Sequence, residues 1–303
     1  MSDDGRRRHY GGFYGLDDLP GTGRPRLAVF GNCQAEALRV ALDTAGVVDS
    51  VRMPPVHELE EPDLPHLDRV LAWVDVLVAQ AVGDDYRGMP LGTSQVAART
   101  GSQARLVRAP NYFFTGLYPE QVLVRHPDVE DPPVVPYHDV RRLGLAAGWS
   151  GPWEPPAPLV REVADASLAE LERRERDQGS LRISDVVRAA GADAGWTVDH
   201  PGNTVLLTLA QRVLDEVRPG SGDAVHDPGR ALLASVATPL RPGVLEALDL
   251  PGEPREGWLV DGRRLGDEEV GEAHLEFYAR NPRVVEVGLD KKGDLLRRWG
   301  WRA

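Results

Sequence analysis

The chain carries one cysteine, Cys33, and its setting is that of a nucleophile. The apolar run Leu27 to Phe30 breaks at Gly31 into Asn32, Cys33 and Gln34. From Ala35 to Ala45, residues Ala37, Leu38, Ala41 and Leu42 then recur at helical spacing. A side chain at such a strand-to-helix turn stands at the carboxyl end of a strand. There the unpaired N–H groups and partial positive charge of a first helical turn favour a thiolate and can cradle a developing oxyanion, as acyl transfer requires. Asn32 and Gln34 add amides that can hydrogen-bond an acyl oxygen. The plainer alternative is a thiol that fills a gap in the core, with Asn32 shaping the turn.

A second candidate lies in Trp196 to Asn203. His200, held by the rigid Pro201, titrates in the range of a general base for the thiol or for an incoming hydroxyl. Asn203 reads as the N-cap of a helix beginning at Thr204, with contact to a substrate as its other use. In Asp84 to Gly88, Arg87 offers a bidentate grip on a phosphate or carboxylate, against the alternative of an ion pair with Asp84 or Asp85. Glu170 to Asp177 is charged nearly all round, which by default means a solvated helix face with pairs four residues apart.

Elements that would position these groups alternate from residue 26 onward. Strands are predicted over residues 26–31, 48–53, 75–80 and 104–109, and helices over 34–46, 64–73 and 93–101. This is the pattern of βαβ units: an α/β fold with a parallel sheet and flanking helices, which binds ligands at the carboxyl ends of its strands. The loops Gly31 to Gln34, Gln80 to Gly88 and Pro110 to Gly116 should therefore converge. A short helix over Asp139 to Ala147 precedes a stiff proline-rich connector, 151–158. Helical patterns follow over Val160 to Arg176, Ile183 to Ala190 and Thr204 to Val217, as a helical layer. The tail holds a helix near Leu245 and a strand-like run from Val284 to Leu289. Residues 1–25 read as a flexible surface arm, and 26–303 as one catalytic domain: a βαβ half over 26–150, the helical layer over 159–220 and an extension over 221–303.

Composition narrows the classes. With 47 acidic against 35 basic residues and a net charge of -12, the chain lacks the basic face that a general nucleic-acid binder needs. One cysteine excludes an internal disulfide and any multi-cysteine metal site, and no metal is expected. No apolar stretch reaches the ~20 residues of a membrane span, and no signal-peptide segment is evident, so the expectation is a cytoplasmic protein. The oligomeric state is left open.

Several motifs together resemble the WcbI-type polysaccharide biosynthesis family. They are Gly31 to Gln34, Gln80 with Asp85 to Arg87, Pro110-Asn111 with Phe113 and Gly116, Ser167 to Leu171 with Arg173 to Asp177, Ile183 to Asp185, and His200 to Asn203. The likeness runs from about residue 26 to 250. It implies a fold similar to SGNH hydrolases, coenzyme A or acyl-CoA as co-substrate, and acyl transfer to a small-molecule or glycan acceptor, with Cys33 in the place of the SGNH serine. By that likeness Cys33, His200, Asn32 and Gln34 are catalytic. Gly31, Gln80, Tyr86, Arg87, Asn111, Arg173 and Arg174 face the cofactor, and Asp85, Phe113 and Asn203 the substrate. An SGNH enzyme would place Asp three residues before the histidine, where this chain has Thr197, so the triad acid must come from elsewhere, such as Asp185, or be dispensed with. A hydrolase of thioesters or acetyl groups and a non-catalytic CoA-binding protein are the alternatives.

Overall fold

The computed structural model describes residues 3–126 and 129–303. In chain order the elements are α1 (Asp3–His9), α2 (Gly11–Tyr14), β1 (Arg26–Phe30), α3 (Cys33–Asp43), β2 (Asp49–Val51), α4 (Leu64–Trp73), β3 (Val76–Gln80), α5 (Thr93–Ala97) and β4 (Arg105–Ala109). There follow β5 (Gln121–Val122), β6 (His138–Asp139), α6 (Val140–Ala146), α7 (Ala157–Gln178), α8 (Ser184–Val187) and α9 (Asn203–Val217). The last are β7 (Val236–Ala237), α10 (Pro242–Leu248), β8 (Trp258–Val260), β9 (Arg263–Leu265), α11 (Asp267–Arg280) and α12 (Pro282–Trp299). They form two compact units interleaved along the chain.

The first unit comprises Met1–Tyr112, Glu172–Val187 and Gly202–Leu233. Its sheet is parallel, in the order β2-β1-β3-β4. Leu27 to Phe30 and Val76 to Gln80 are buried throughout, as expected of central parallel strands covered on both faces. The chain leaves β1 for β2 on one side and returns to β3 on the other, so the carboxyl end of β1 is a topological switch point, where open α/β sheets bind ligands. The helix expected over 93–101 is shorter, ending at Ala97. Residues expected as a surface arm instead form α1 and α2. Phe13 is fully buried in the core with Tyr14, Leu67 and Leu71, and Tyr14 donates a 2.9 Å hydrogen bond to Asp63. Two aromatic side chains four residues or fewer apart find an apolar slot that the sequence alone does not display.

The second unit comprises Phe113–Leu171, Arg188–Pro201 and Ala234–Ala303. Small antiparallel sheets, β5-β6 and β7-β8-β9, accompany a core built by α6, α11 and α12 around Leu143, Phe277, Tyr278, Leu296, Trp299 and Trp301. The strand-like run Val284 to Leu289 is the start of helix α12, a correction with a clear cause. Val284, Val285, Gly288, Gly293, Leu295, Leu296 and Trp299 are the buried positions, a helical stripe that packing on α6 selects over local β-propensity. Gly288 permits that approach, since a Cβ there would lie 2.5 Å from Leu143 Cδ1. The helical run expected from Ile183 to Ala190 reduces to α8 in the first unit, because Gly191 follows with positive φ and the intervening residues bend.

Candidate functional site

Cys33 is the first residue of α3, half-buried, at the carboxyl end of β1. The turn before it is fixed atom by atom. The Gly31 carbonyl accepts from Val56 N–H at 2.7 Å, and Asn32 N–H donates to Gln80 Oε1 at 2.9 Å. Asn32 is the N-cap: its Oδ1 accepts from Gln34 N–H at 2.9 Å, so this side chain shapes the helix start. Gly31 is required by contact. A Cβ at that position would lie 2.1 Å from Gln80 Oε1.

Below the turn runs a network of buried amides. Gln34 and Gln80, 4% and 2% exposed, are joined by Gln80 Nε2 donating to Gln34 Oε1 at 3.1 Å. Gln34 Oε1 also accepts from Tyr112 N–H, and Gln34 Nε2 donates to the Tyr112 carbonyl, both at 3.0 Å. Gln80 Nε2 reaches the Pro110 carbonyl at 3.3 Å. Asn111 donates to the Ala81 carbonyl at 3.1 Å and accepts from Asn32 Nδ2 at 3.5 Å, while Arg174 donates to the Asn111 carbonyl at 3.2 Å. Asn32, Gln34, Gln80, Asn111 and Arg174 thus meet around the Cys33 turn. The carboxamides of Gln34 and Gln80 tie the ends of β1, β3 and β4 together, which sets the position of the thiol.

Other expected site residues lie apart from this network. Arg87, exposed and in a left-handed backbone conformation, donates to the His57 carbonyl at 2.5 Å. No ion pair joins it to Asp84 or Asp85 among the described residues; Asp85 accepts from Gln95 at 2.7 Å and Asp84 from Ser94 at 2.7 Å. Tyr86 packs on the core of the first unit. Arg173 pairs with Asp177 at 2.5 Å on the exposed face of α7. Asn203 is not a cap: it is the first residue of α9, behind Gly202, and its side chain spans the segment opposite. It donates to the Arg230 carbonyl and accepts from Leu232 N–H, both at 2.9 Å. Asp185 is committed to Arg212 through two contacts of 2.7 and 2.8 Å, which hold its carboxyl below the ordinary range.

Two groups in motifs the sequence singles out have partners that the sequence does not indicate. Glu175, 3% exposed, sits within the segment read as a solvated face, yet accepts from Ile183 N–H (2.7 Å), Ser184 N–H (3.0 Å) and Ser184 Oγ (2.5 Å). Its partners lie beyond a loop, so helical charge spacing gives no sign of them. Ser167, in the second unit, accepts from Thr115 N–H at 3.0 Å.

His200 and Phe113 belong to the second unit. Phe113 is 36% exposed. His200 is half-buried in a loop closed by Trp196 N–H donating to the His200 carbonyl at 2.8 Å. Thr197, fully buried where an SGNH enzyme would have aspartate, accepts from His200 N–H at 3.1 Å and hydrogen-bonds Asp199 at 3.0 Å. Tyr137 donates to Asp199 at 2.8 Å and sets its ring edge-on to His200, 6.4 Å between centroids. The loop is built to hold the His200 backbone in one place.

A family described as "Polysaccharide biosynthesis enzyme WcbI" matches residues 26–219. No curated protein matches the chain. Among solved structures, a WcbI protein described as a novel polysaccharide biosynthesis enzyme, in its native form without a disulfide bond between coenzyme A and one of its cysteines, superposes with a TM-score of 0.64. It is 18% identical and covers 88% of this chain and 98% of its own, a likeness that speaks to the fold.

Proposed function

The chain belongs to the WcbI family of polysaccharide biosynthesis enzymes, and from that premise we propose that it is an acyl-CoA-dependent acyltransferase acting on a hydroxyl or amine of a sugar or natural-product intermediate. The observation that carries the reading is the placement of Cys33. It is a half-buried thiol on the first turn of α3, at the switch point of the sheet, with its turn locked by Asn32, Gln34 and Gln80. The solved WcbI protein is described by reference to coenzyme A, without a disulfide to one of its cysteines, which supports coenzyme A as the proposed co-substrate. Two open clefts of the first unit, meeting at Ser180, are the places proposed to take parts of such a molecule.

In the proposed reaction the Cys33 sulfur attacks the thioester carbonyl. A new carbon–sulfur bond forms, the bond to the coenzyme A sulfur breaks, and the thiol proton leaves with coenzyme A. The acceptor hydroxyl or amine then attacks the enzyme thioester, the bond to the Cys33 sulfur breaks, and the acceptor proton passes through a general base to that sulfur; among the chain's imidazoles His200 is the one proposed for this role on its chemistry. N–H groups of the first turn of α3 are the donors proposed for the oxyanion in both steps. Asn32 and Gln34 are assigned positioning rather than direct contact, since their amides are engaged in the turn and the network.

The test is intact-protein mass spectrometry after incubation with acetyl-CoA alone. The wild type should gain the mass of one acetyl group and Cys33→Ala should gain none. A labelled acetyl group appearing in a sugar acceptor establishes transfer, whereas free acetate released without any acceptor overturns it in favour of hydrolysis. An unmodified wild type that still transfers acetyl groups would remove the covalent role of Cys33.

A further inference from the structure

Arginine does almost all the cationic work in this acidic chain, because Lys291 and Lys292 are its only lysines among 35 basic residues. Most of these guanidiniums are matched, as Arg39 is by Glu36 and Asp43, Arg212 by Asp185, and Arg141 by Asp139. Arg108, Arg176 and Arg182 are different. All three are exposed, and no side-chain hydrogen bond or ion pair engages them among the described residues. They lie around one turn of the first unit, Gly179-Ser180, which a positive φ of 59° at Gly179 makes sharp.

Two clefts share Ser180 as a common wall. The first, about 520 Å³, has a floor of Ala79, Ala81 and Ala109 and a rim of Arg108, Gln178 and Ser180. Arg108 is the register partner of Ala79 across β3 and β4, so the absence of a large side chain on the neighbouring strand leaves the space above it open. The second, about 760 Å³, is lined by Arg176, Arg182, Glu172 and Glu175. Glu175 has its charge met by two backbone N–H groups and the Ser184 hydroxyl, and the Asp185 carboxylate, which feels the Arg182 charge only at a distance, is hydrogen-bonded by Arg212. Arg176 and Arg182 therefore share their cleft with one carboxylate, Glu172, that is not already engaged, while Arg108 rims the other cleft, which no carboxylate lines. In a protein of net charge -12, the cost of leaving cations unmatched is offset when an anion binds between them.

We propose that Arg108, Arg176 and Arg182 form a binding site for a small molecule carrying more than one phosphate group, with its organic part over the alanine floor of the first cleft. Guanidinium forks match phosphate oxygens in two-point contacts, and the division into two clefts around Ser180 suits separate phosphates better than a single carboxylate. The site stands on its own lining. It rests on the transferase reading only for the source of the phosphates, either coenzyme A or a nucleotide-linked acceptor.

Calorimetric titration of the full chain with inorganic pyrophosphate tests the site. Saturable binding is expected in the wild type, weakened at least tenfold in the triple variant Arg108→Gln, Arg176→Gln, Arg182→Gln. A control triple, Arg24→Gln, Arg263→Gln, Arg264→Gln, removes the same charge from exposed positions elsewhere and should change affinity less than twofold. Absence of saturable binding, or equal weakening in the two triples, overturns the proposal. Titration with coenzyme A and with a uridine diphosphate sugar then identifies the source by which of them loses affinity in the first triple. If coenzyme A fails to bind the wild type while pyrophosphate binds and is lost in that triple, the acyl-CoA reading fails and the phosphate site remains.

Discussion

Lowering the pH from 7 to 5 should cost the second unit about 4 kcal/mol of stability, through two histidines buried in the neutral state. His138 and His274 are 1% and 0% exposed, with ring centroids 6.4 Å apart. His138 Nδ1 meets the Tyr278 hydroxyl at 2.9 Å, and His274 Nε2 meets the Pro133 carbonyl at 3.2 Å. The remaining ring nitrogens, His138 Nε2 and His274 Nδ1, are buried with no hydrogen bond of good geometry among the described residues, so a second proton on either ring is poorly accommodated. Burial first, then the neighbouring positive charge of His274 on His138 and of Arg142 on His274, pushes each imidazole from 6.5 down to about 4. Because the folded values lie below the unfolded ones, the unfolded chain binds more protons between them. Stability is therefore complete above pH 6.5 and lost as the pH falls towards 4. At about 1.4 kcal/mol per pH unit, the full effect is about 3.5 kcal/mol per ring, of which about 2 kcal/mol is spent by pH 5. Glu120, raised chiefly by burial, acts with the opposite sign, its contribution being lost as the pH rises through its folded value. Every tryptophan except Trp73 lies in the second unit, so urea unfolding followed by tryptophan fluorescence at pH 7, 6 and 5 reads this unit. The pH 7-to-5 loss should shrink by about half in His274→Gln. Equal wild-type stability at the two pH values, or imidazole NMR titrations above pH 6, would refute the reasoning.

Gly31→Ala should cut acyl transfer more than tenfold while costing about 1–3 kcal/mol, because the added Cβ displaces the buried Gln80 carboxamide from Asn32 N–H; unchanged kcat would separate the network from catalysis. Replacing Glu175 by alanine strips the acceptor from two backbone N–H groups and a hydroxyl in a buried setting, an expected loss of about 3 kcal/mol in denaturant unfolding. Thr197→Val keeps the shape of a fully buried side chain but removes the acceptor for His200 N–H, so stability should fall by about 1–3 kcal/mol, with kcat reduced more than KM is raised.

What the sequence by itself determined was local. The apolar runs specify β1, β3 and β4, the helical repeats specify α3, α4 and α9, and Gly31-Asn32-Cys33 places a thiol at a strand-to-helix turn. Each depends on neighbours within a few residues, so the pattern is complete in the string. Even the convergence of Asn32, Gln80 and Asn111 follows, since parallel strands bring successive loops to one end. Tertiary structure decided whatever depends on a distant partner. The apolar run at Val284 fits strand or helix until α6 selects the helical stripe, and Glu175 looks solvated until Ile183 and Ser184 fold back on it. Asn203 passes for a cap until the 230–232 segment claims its amide. In each case the free energy at stake is burial or a buried hydrogen bond with a residue beyond the local window, and only the folded chain brings that residue within reach.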